Sequence, residues 1–366
     1  MQTRRRVLAG ATCAAGGLLA GRKAAAAGEY WPGPSSWETA EPAMVGLDPT
    51  RLSAAVATAL ADRSSSVLVL RGGRIVAEQY ASGLGARRAQ EVASVGKSII
   101  SVLVGVALDQ GMLRSVNQPA ADFIPQWRET PKAAITLRHM LTMTSGLDTR
   151  GMPIRGAVDQ FHRNASAPLA HPPGSRWVYD TPTFHLLFHI LERAAGQPFE
   201  TFAKRVLLDP LGMADTTWVT NTGPGSDGPA KNYYTARCSA RDLARFGLCA
   251  LRGGRWDARR IVSAEYLRDA TTPSQDLNPA YGYLWWQNAR PGFAAGGDRE
   301  TPANRFPGSP RDTYAAMGQG GQAVFVAPSL DLVVIRQGQT PAGSGALPRL
   351  MAGVAAAVQA PKGPLL

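Results

Sequence analysis

At 366 residues, with 45% hydrophobic and 18% charged residues, the chain has the ordinary composition of a soluble globular protein and is long enough for one large domain or two intimately packed ones. Beyond the N-terminus no run approaches the roughly 18 apolar residues of a membrane span, so no stable membrane insertion of the mature chain is expected. The net charge of +12 is spread along the chain rather than gathered in runs, which excludes a nucleic-acid footprint.

The chain opens with Thr3-Arg4-Arg5-Arg6-Val7-Leu8, a small-residue apolar run to Ala20, and then Ala24 to Ala27. A charged n-region, an h-region and an A-x-A site in that order read as a signal peptide over residues 1–27. The paired arginines point to the twin-arginine route, and so to a periplasmic or secreted protein. Gly10 stands where a lipobox before Cys13 needs Leu, which argues against a lipid anchor. Residues 1–27 hold five basic residues and no acidic one, so their loss takes the net charge from +12 to +7.

Residues 28–46, with Pro32, Pro34 and Pro42, read as an extended lead-in. Asp48-Pro49 supplies an N-cap and an N1 proline for a helix to about Asp62. Two β-rich runs, Ser66 to Leu70 and Ile75 to Tyr80, flank Gly72-Gly73 and signal a hairpin. Apolar spacing predicts helices from Ser98 to Leu113, Leu137 to Met143, Thr183 to Ala195, Pro198 to Leu208 and Ala240 to Leu251. β-rich runs return from Thr313 to Val326 and from Leu332 to Ile335, and a helix from Leu347 to Gln359 closes the chain. Strands at both ends with helices between predict an α+β fold: one antiparallel sheet built from both termini, flanked by helices, with a largely helical region inserted. Cys238 and Cys249 are read as two buried free thiols rather than a disulfide.

Ala93-Ser94-Val95-Gly96-Lys97 leads into an apolar helix, and Ser94 and Lys97, at i and i+3, fall on one face. With 21 serines and 6 lysines, chance supplies such a pair in about one chain of this length in three. Lysine usage adds weight, because a chain with 33 arginines and 6 lysines places a lysine in an apolar run where burial is expensive. Arginine stays charged, whereas burial can lower a lysine pKa from about 10.4 to roughly 6–7. A neutral amine there takes the proton of a serine nucleophile, and the helix N-terminus offers N–H groups to the reacting carbonyl. The competing reading is a lysine reaching solvent beside a serine that caps the helix.

Other patterns fail on inspection. Gly96-Lys97-Ser98 ends like a phosphate loop, but the first glycine of that motif falls on Glu91. The G-x-S-x-G elbow of α/β-hydrolases is absent. His185 and His189, at i and i+4, lack the glutamate of H-E-x-x-H and stand among Phe184, Leu187, Phe188 and Ile190. They read as core, and no metal is expected.

Five segments occur in one order along nearly the whole mature chain: Ser94 to Lys97, Ile135 to Leu147, Pro172 to Tyr179, Leu208 to Met213 and Ser239 to Gly247. Together they resemble the class C β-lactamase and penicillin-binding protein superfamily of serine hydrolases. The resemblance implies a β-lactamase/transpeptidase-like fold over residues 28–366, with its sheet region at about 47–100 and 280–366 and its helical region at about 100–280. It implies no cofactor. It assigns Ser94 and Lys97 as nucleophile and base, and gives Tyr179, at the head of Tyr179-Asp180-Thr181, a share in proton transfer. It places Gln319-Gly320-Gly321 on the strand lining the site, and makes the backbone N–H groups of Ser94 and Gln322 the oxyanion hole. Thr181, Gln319, Gly320 and Gly321 become substrate contacts, while Asp180 is read as capping a local turn.

Two departures narrow the function. Thr181 stands where the family has asparagine, so the amide that holds a substrate amide is lost. Gln319 stands where the family has a cation, so the charge for a β-lactam or peptide carboxylate is lost. With the run Tyr281 to Trp286, these features resemble the esterase and 6-aminohexanoate-dimer hydrolase branch. The expected partner is therefore a small-molecule ester or amide substrate, cleaved through an acyl-enzyme on Ser94. A β-lactamase or D,D-carboxypeptidase is the alternative, and a penicillin-binding or scaffold protein without turnover is the second. The sequence leaves the oligomeric state open.

Overall fold

The computed structural model describes residues 29–156, 158–225, 228–288, 292–293, 300–301 and 305–359; the expected signal peptide, residues 1–27, lies outside them. Asp48 caps the first helix, Pro49–Ala61, by accepting from the N–H groups of Thr50 and Arg51 at 2.9 and 3.1 Å. The chain then forms the hairpin of Ser64–Arg71 and Arg74–Tyr80. The first strand of this hairpin also pairs with the last strand of the chain, Leu332–Gly338, with Val67 opposite Arg336 and Leu70 opposite Val333. Gln322–Ala327, Tyr314–Gly318 and Trp286–Gln287 extend the sheet to six strands, each antiparallel to its neighbours.

Helices cover both faces of this sheet, which is why Val67 to Leu70 of its first strand form an unbroken apolar run. Side chains alternate between the faces. Val67, Val69, Phe325 and Val334 meet Leu52 and Val56 of the first helix and Leu350 and Val354 of the last, Ala346–Ala357. Leu68, Leu70, Val324 and Ile335 face the opposite core, which holds the helix Val95–Asp109. Every residue of that helix from Val95 to Ala107 is buried, as expected of a helix apolar on all sides.

The inserted region is not entirely helical. Thr217–Gly225 and Gly228–Cys238 form a long hairpin, to which Gln90–Glu91 adds a short third strand. Gly223, Pro224, Gly225, Gly228 and Pro229 crowd the middle of the segment, and read as loop residues they mask the β-branched and aromatic alternation on either side. The single run expected from Thr313 to Val326 divides into two strands at Gln319–Gly321. In place of one helix from Pro198 there is a short helix, Phe199–Ala203, continued by a π-helical turn, Lys204–Leu208. Cys238 and Cys249 are buried and unpaired. Among the described residues no helix is long and apolar enough to cross a membrane.

Candidate active site

The long hairpin carries the turn that presents the serine. Val92 N–H donates to Ala236 O at 3.1 Å, and the Thr235 hydroxyl donates to Ala93 O. Ala93 is held at φ 47°, a left-handed conformation that costs a non-glycine residue about 1–2 kcal/mol. This turn sets Ser94 immediately before the helix Val95–Asp109, where its side chain caps no N–H. Its hydroxyl instead lies 3.1 Å from Nζ of Lys97. Lys97 is only 2% exposed, so neither half of the competing reading describes the pair.

Burial brings the Lys97 amine down from 10.5 to about 7, while the negative charge of Asp180 acts to raise it. A shift of that size represents about 5 kcal/mol. The helix can carry it, because it buries seven Val, Ile and Leu side chains between Val95 and Val106, each contributing about 1.5–3 kcal/mol. Nζ also donates to Thr181 Oγ1 at 3.0 Å and stands 4.6 and 4.9 Å from the ring centroids of Phe184 and Tyr179.

Thr181 opens the helix Thr181–Ala195, whose N-cap is Asp180. The buried Asp180 carboxylate accepts from Thr183 N–H at 3.1 Å, from the Thr183 hydroxyl and from Thr149 Oγ1 at 2.8 Å. The cap therefore fixes the position at which Thr181 receives Lys97. Thr181 was expected to contact substrate; in the structure its hydroxyl accepts from Lys97 Nζ.

Burial pushes the Tyr179 phenol up to about 12, against the neighbouring Ser94 hydroxyl and the charge of Arg305, which act to lower it. Such a phenol stays protonated at neutral pH. Its ring stacks on Trp286 at 5.7 Å and 17°, and meets Tyr281 edge-on at 6.0 Å. Trp177 closes the cluster against Tyr281 and Trp286. Ser94, Lys97, Tyr179 and Thr181 are thus brought together from two separate stretches of chain.

The third element sits differently from the sequence expectation. Gln319, Gly320 and Gly321 form the turn beyond the strand Tyr314–Gly318, and the φ values of Gly320 and Gly321, 81° and 79°, account for both glycines. Gln322 starts the next strand opposite Gly318, with its side-chain Nε2 donating to Gly338 O at 2.6 Å. The glycine that abuts the nucleophile is Gly318, where a methyl group would lie 2.4 Å from Val92 O and 3.0 Å from Ser94 N. Thr313 O accepts from Asn288 N–H on the outer edge of this strand, and Gly318 O accepts from Gly321 N–H on the inner edge. Alternation then directs the amides of Ala315, Met317 and Gln319 to the outer edge, the side away from Gln322. A cleft of about 920 Å³ runs from Ala93 and Gly318 past the turn to the loop around Gln339 to Leu347, beside the Lys97 and Tyr179 side chains rather than over them.

Arg305 escaped sequence reasoning altogether. Its guanidinium lies 3.9 Å from the centroid of the Trp286 ring, and nothing distinguishes it in the sequence from the other arginines. His185 and His189 are packed among aromatic rings, with Gln160 Nε2 3.0 Å from His185 Nδ1.

Residues 52–353 match the Beta-lactamase family. Esterase EstB of Burkholderia gladioli is 29% identical over 204 residues, 46% of this chain and 51% of that protein. The 6-aminohexanoate-dimer hydrolase of Paenarthrobacter ureafaciens is 24% identical over 312 residues, 76% of this chain and 73% of that one. EstCE1, a hydrolase with promiscuous acyltransferase activity, shares the fold at a TM-score of 0.62 and 17% identity, over 86% of this chain and 99% of its own. With a match that spans most of its length and a fold to agree with it, the chain belongs to the Beta-lactamase family of hydrolases.

Proposed function

We propose that the protein is a serine hydrolase that cleaves a small-molecule ester or amide through an acyl-enzyme on Ser94. The observation that carries this reading is the buried amine of Lys97, near pKa 7 and 3.1 Å from Ser94 Oγ. In its neutral form the amine takes the Ser94 proton as Oγ attacks the carbonyl carbon. Tyr179, protonated and neighbouring Ser94, passes a proton to the departing alcohol or amine. One environment drives a pKa down and the other drives a pKa up, and this difference separates base from acid. The N–H groups of Ser94 and Gln319 receive the developing oxyanion, with Gln319 taking the part that sequence reasoning gave to Gln322. The proton held by Lys97 then passes to the Tyr179 oxygen, restoring both groups; water attacks the acyl-enzyme as Lys97 accepts its proton, and that proton goes to Ser94 Oγ as the acyl bond breaks. This chemistry requires no cofactor.

An esterase and a 6-aminohexanoate-dimer hydrolase among the relatives support the ester or amide assignment, as does the threonine in place of asparagine at Thr181. The test is a hydrolysis screen of the purified protein against short-chain p-nitrophenyl esters, linear amide oligomers and nitrocefin, with labelling by a serine-directed phosphonate. Turnover of an ester or amide, lost together with labelling in Ser94→Ala, is the expected result. Residual turnover in Ser94→Ala refutes the mechanism, and nitrocefin as the best substrate refutes the substrate class. Residues 1–27 are proposed as an export leader, so protein recovered from the envelope fraction should begin near Gly28.

A further inference from the structure

Arg305 is a largely buried cation that faces no carboxylate among the described residues. Its Nη1 is buried without a hydrogen-bond partner, and no carboxylate among the described residues forms an ion pair with it. Burial draws its pKa down to about 10, and the groups acting against that are two phenols, Tyr179 and Tyr281. Its guanidinium is supported by stacking on Trp286. Unpaired buried guanidinium groups are costly, and a planar fork of donors matches a carboxylate.

Its position ties it to the chemistry. Trp286 carries Arg305 over its ring and also stacks with Tyr179, whose hydroxyl neighbours Ser94. The cleft on the other side of the nucleophile offers no such charge, since none of its described lining residues is cationic. Arg336, behind the Gln319–Gly321 turn, has its guanidinium occupied by the carbonyls of Gly321 and Asp62.

We infer that Arg305 is the anion-recognising residue of the active site, and that the substrate is an ester or amide carrying a carboxylate within reach of the aromatic cluster Trp177, Tyr179, Tyr281 and Trp286. This rests on the serine hydrolase reading above and narrows it. The carboxylate lost from the strand position at Gln319 is taken up by a guanidinium from a different segment. The remainder of the substrate lies toward the cleft around Gly318 and Gln339, whose described lining holds no cation.

Two substrate pairs test the inference, each differing only in charge. One is 3-acetoxybenzoate with its methyl ester, which places the carboxylate on the leaving group; the other is p-nitrophenyl hydrogen glutarate with its methyl ester, which places it on the acyl group. In Arg305→Gln the ratio of kcat/KM for the charged over the neutral member should fall at least about ten-fold in one pair, the lower bound for a hydrogen bond to a charged group. Arg305→Lys should restore part of that ratio. A smaller fall in both pairs overturns the inference, as does an equal loss on charged and neutral substrates, which would make Arg305 a support for Tyr179. Calorimetric titration of Ser94→Ala with the charged member of the pair that shows the fall needs no turnover, and its affinity should drop by a similar factor when Arg305→Gln is added. Unchanged affinity there counts against Arg305 alone, whereas failure of phosphonate to label Ser94 counts against the hydrolase reading.

Discussion

Replacing Lys97 by methionine should make the protein more stable and inactive. The unfolded chain holds the lysine proton up to about 10.5, while the folded chain has half released it at about 7. At about 1.4 kcal/mol per pKa unit, this mismatch opposes folding by about 5 kcal/mol at pH 7. Methionine keeps the length of the side chain and drops the amine. The bonds of Nζ to Ser94 and Thr181 go with it, at about 1 kcal/mol each. The balance is a gain of about 2–3 kcal/mol at pH 7. Between about pH 7 and 10.5 the unfolded lysine binds more protons than the folded one, so wild-type stability rises with pH and the advantage of the variant shrinks. Urea denaturation of both proteins at pH 7 and pH 9.5, compared by midpoint at equal slope, measures both effects. A variant no more stable than wild type at pH 7, or a gap that fails to narrow at pH 9.5, would show that the amine is not desolvated as its surroundings require.

Three further outcomes follow from the same geometry. The kcat/KM of an ester should reach half its plateau near pH 7 and fall about ten-fold per unit below, as Lys97 protonates. In Asp180→Asn that limb should move to lower pH, because the Asp180 charge raises the lysine pKa; a shift upward contradicts the assignment. Gly318→Ala should lower kcat/KM by about 100-fold through displacement of the nucleophile turn, and destabilise by about 1–3 kcal/mol, read by ester turnover and denaturation together. In protein lacking residues 1–27, a thiol reagent should modify neither Cys238 nor Cys249 until denaturant is added, since burial holds both thiols up at about 12.

Periodicity and caps carried much of the architecture. Asp48-Pro49, the Gly72-Gly73 turn and the all-apolar stretch after Ser94 each act over a few neighbouring residues, so their signals sit together in the chain. The hairpin of Thr217–Gly225 and Gly228–Cys238 was hidden because its stability comes from pairing and from packing on the nucleophile turn, against local Gly and Pro preference. The site divides in the same way. Ser94 and Lys97 lie one helical turn apart and could be paired from spacing, whereas Thr181 reaches Lys97 from 84 residues away. Gly318 was passed over for Gly320 and Gly321 because turn glycines and close-approach glycines look alike in a string, and register alone tells them apart. Arg305 acquires its meaning from Trp286 and Tyr179, and no short-range pattern encodes that meeting.

The pairing of Ser64–Arg71 with Leu332–Gly338 also orders events in time. The first of these strands leaves the ribosome early and its partner emerges about 260 residues later. Until then the early strands have only each other, and a lone hairpin is marginal in water. The helix bearing Ser94 is buried against a sheet that the final strand helps to complete, so a nascent or truncated chain holds the nucleophile without its wall. Closing so long a loop makes assembly slow and all-or-none. Hydrolysis then begins only once the whole chain has been made.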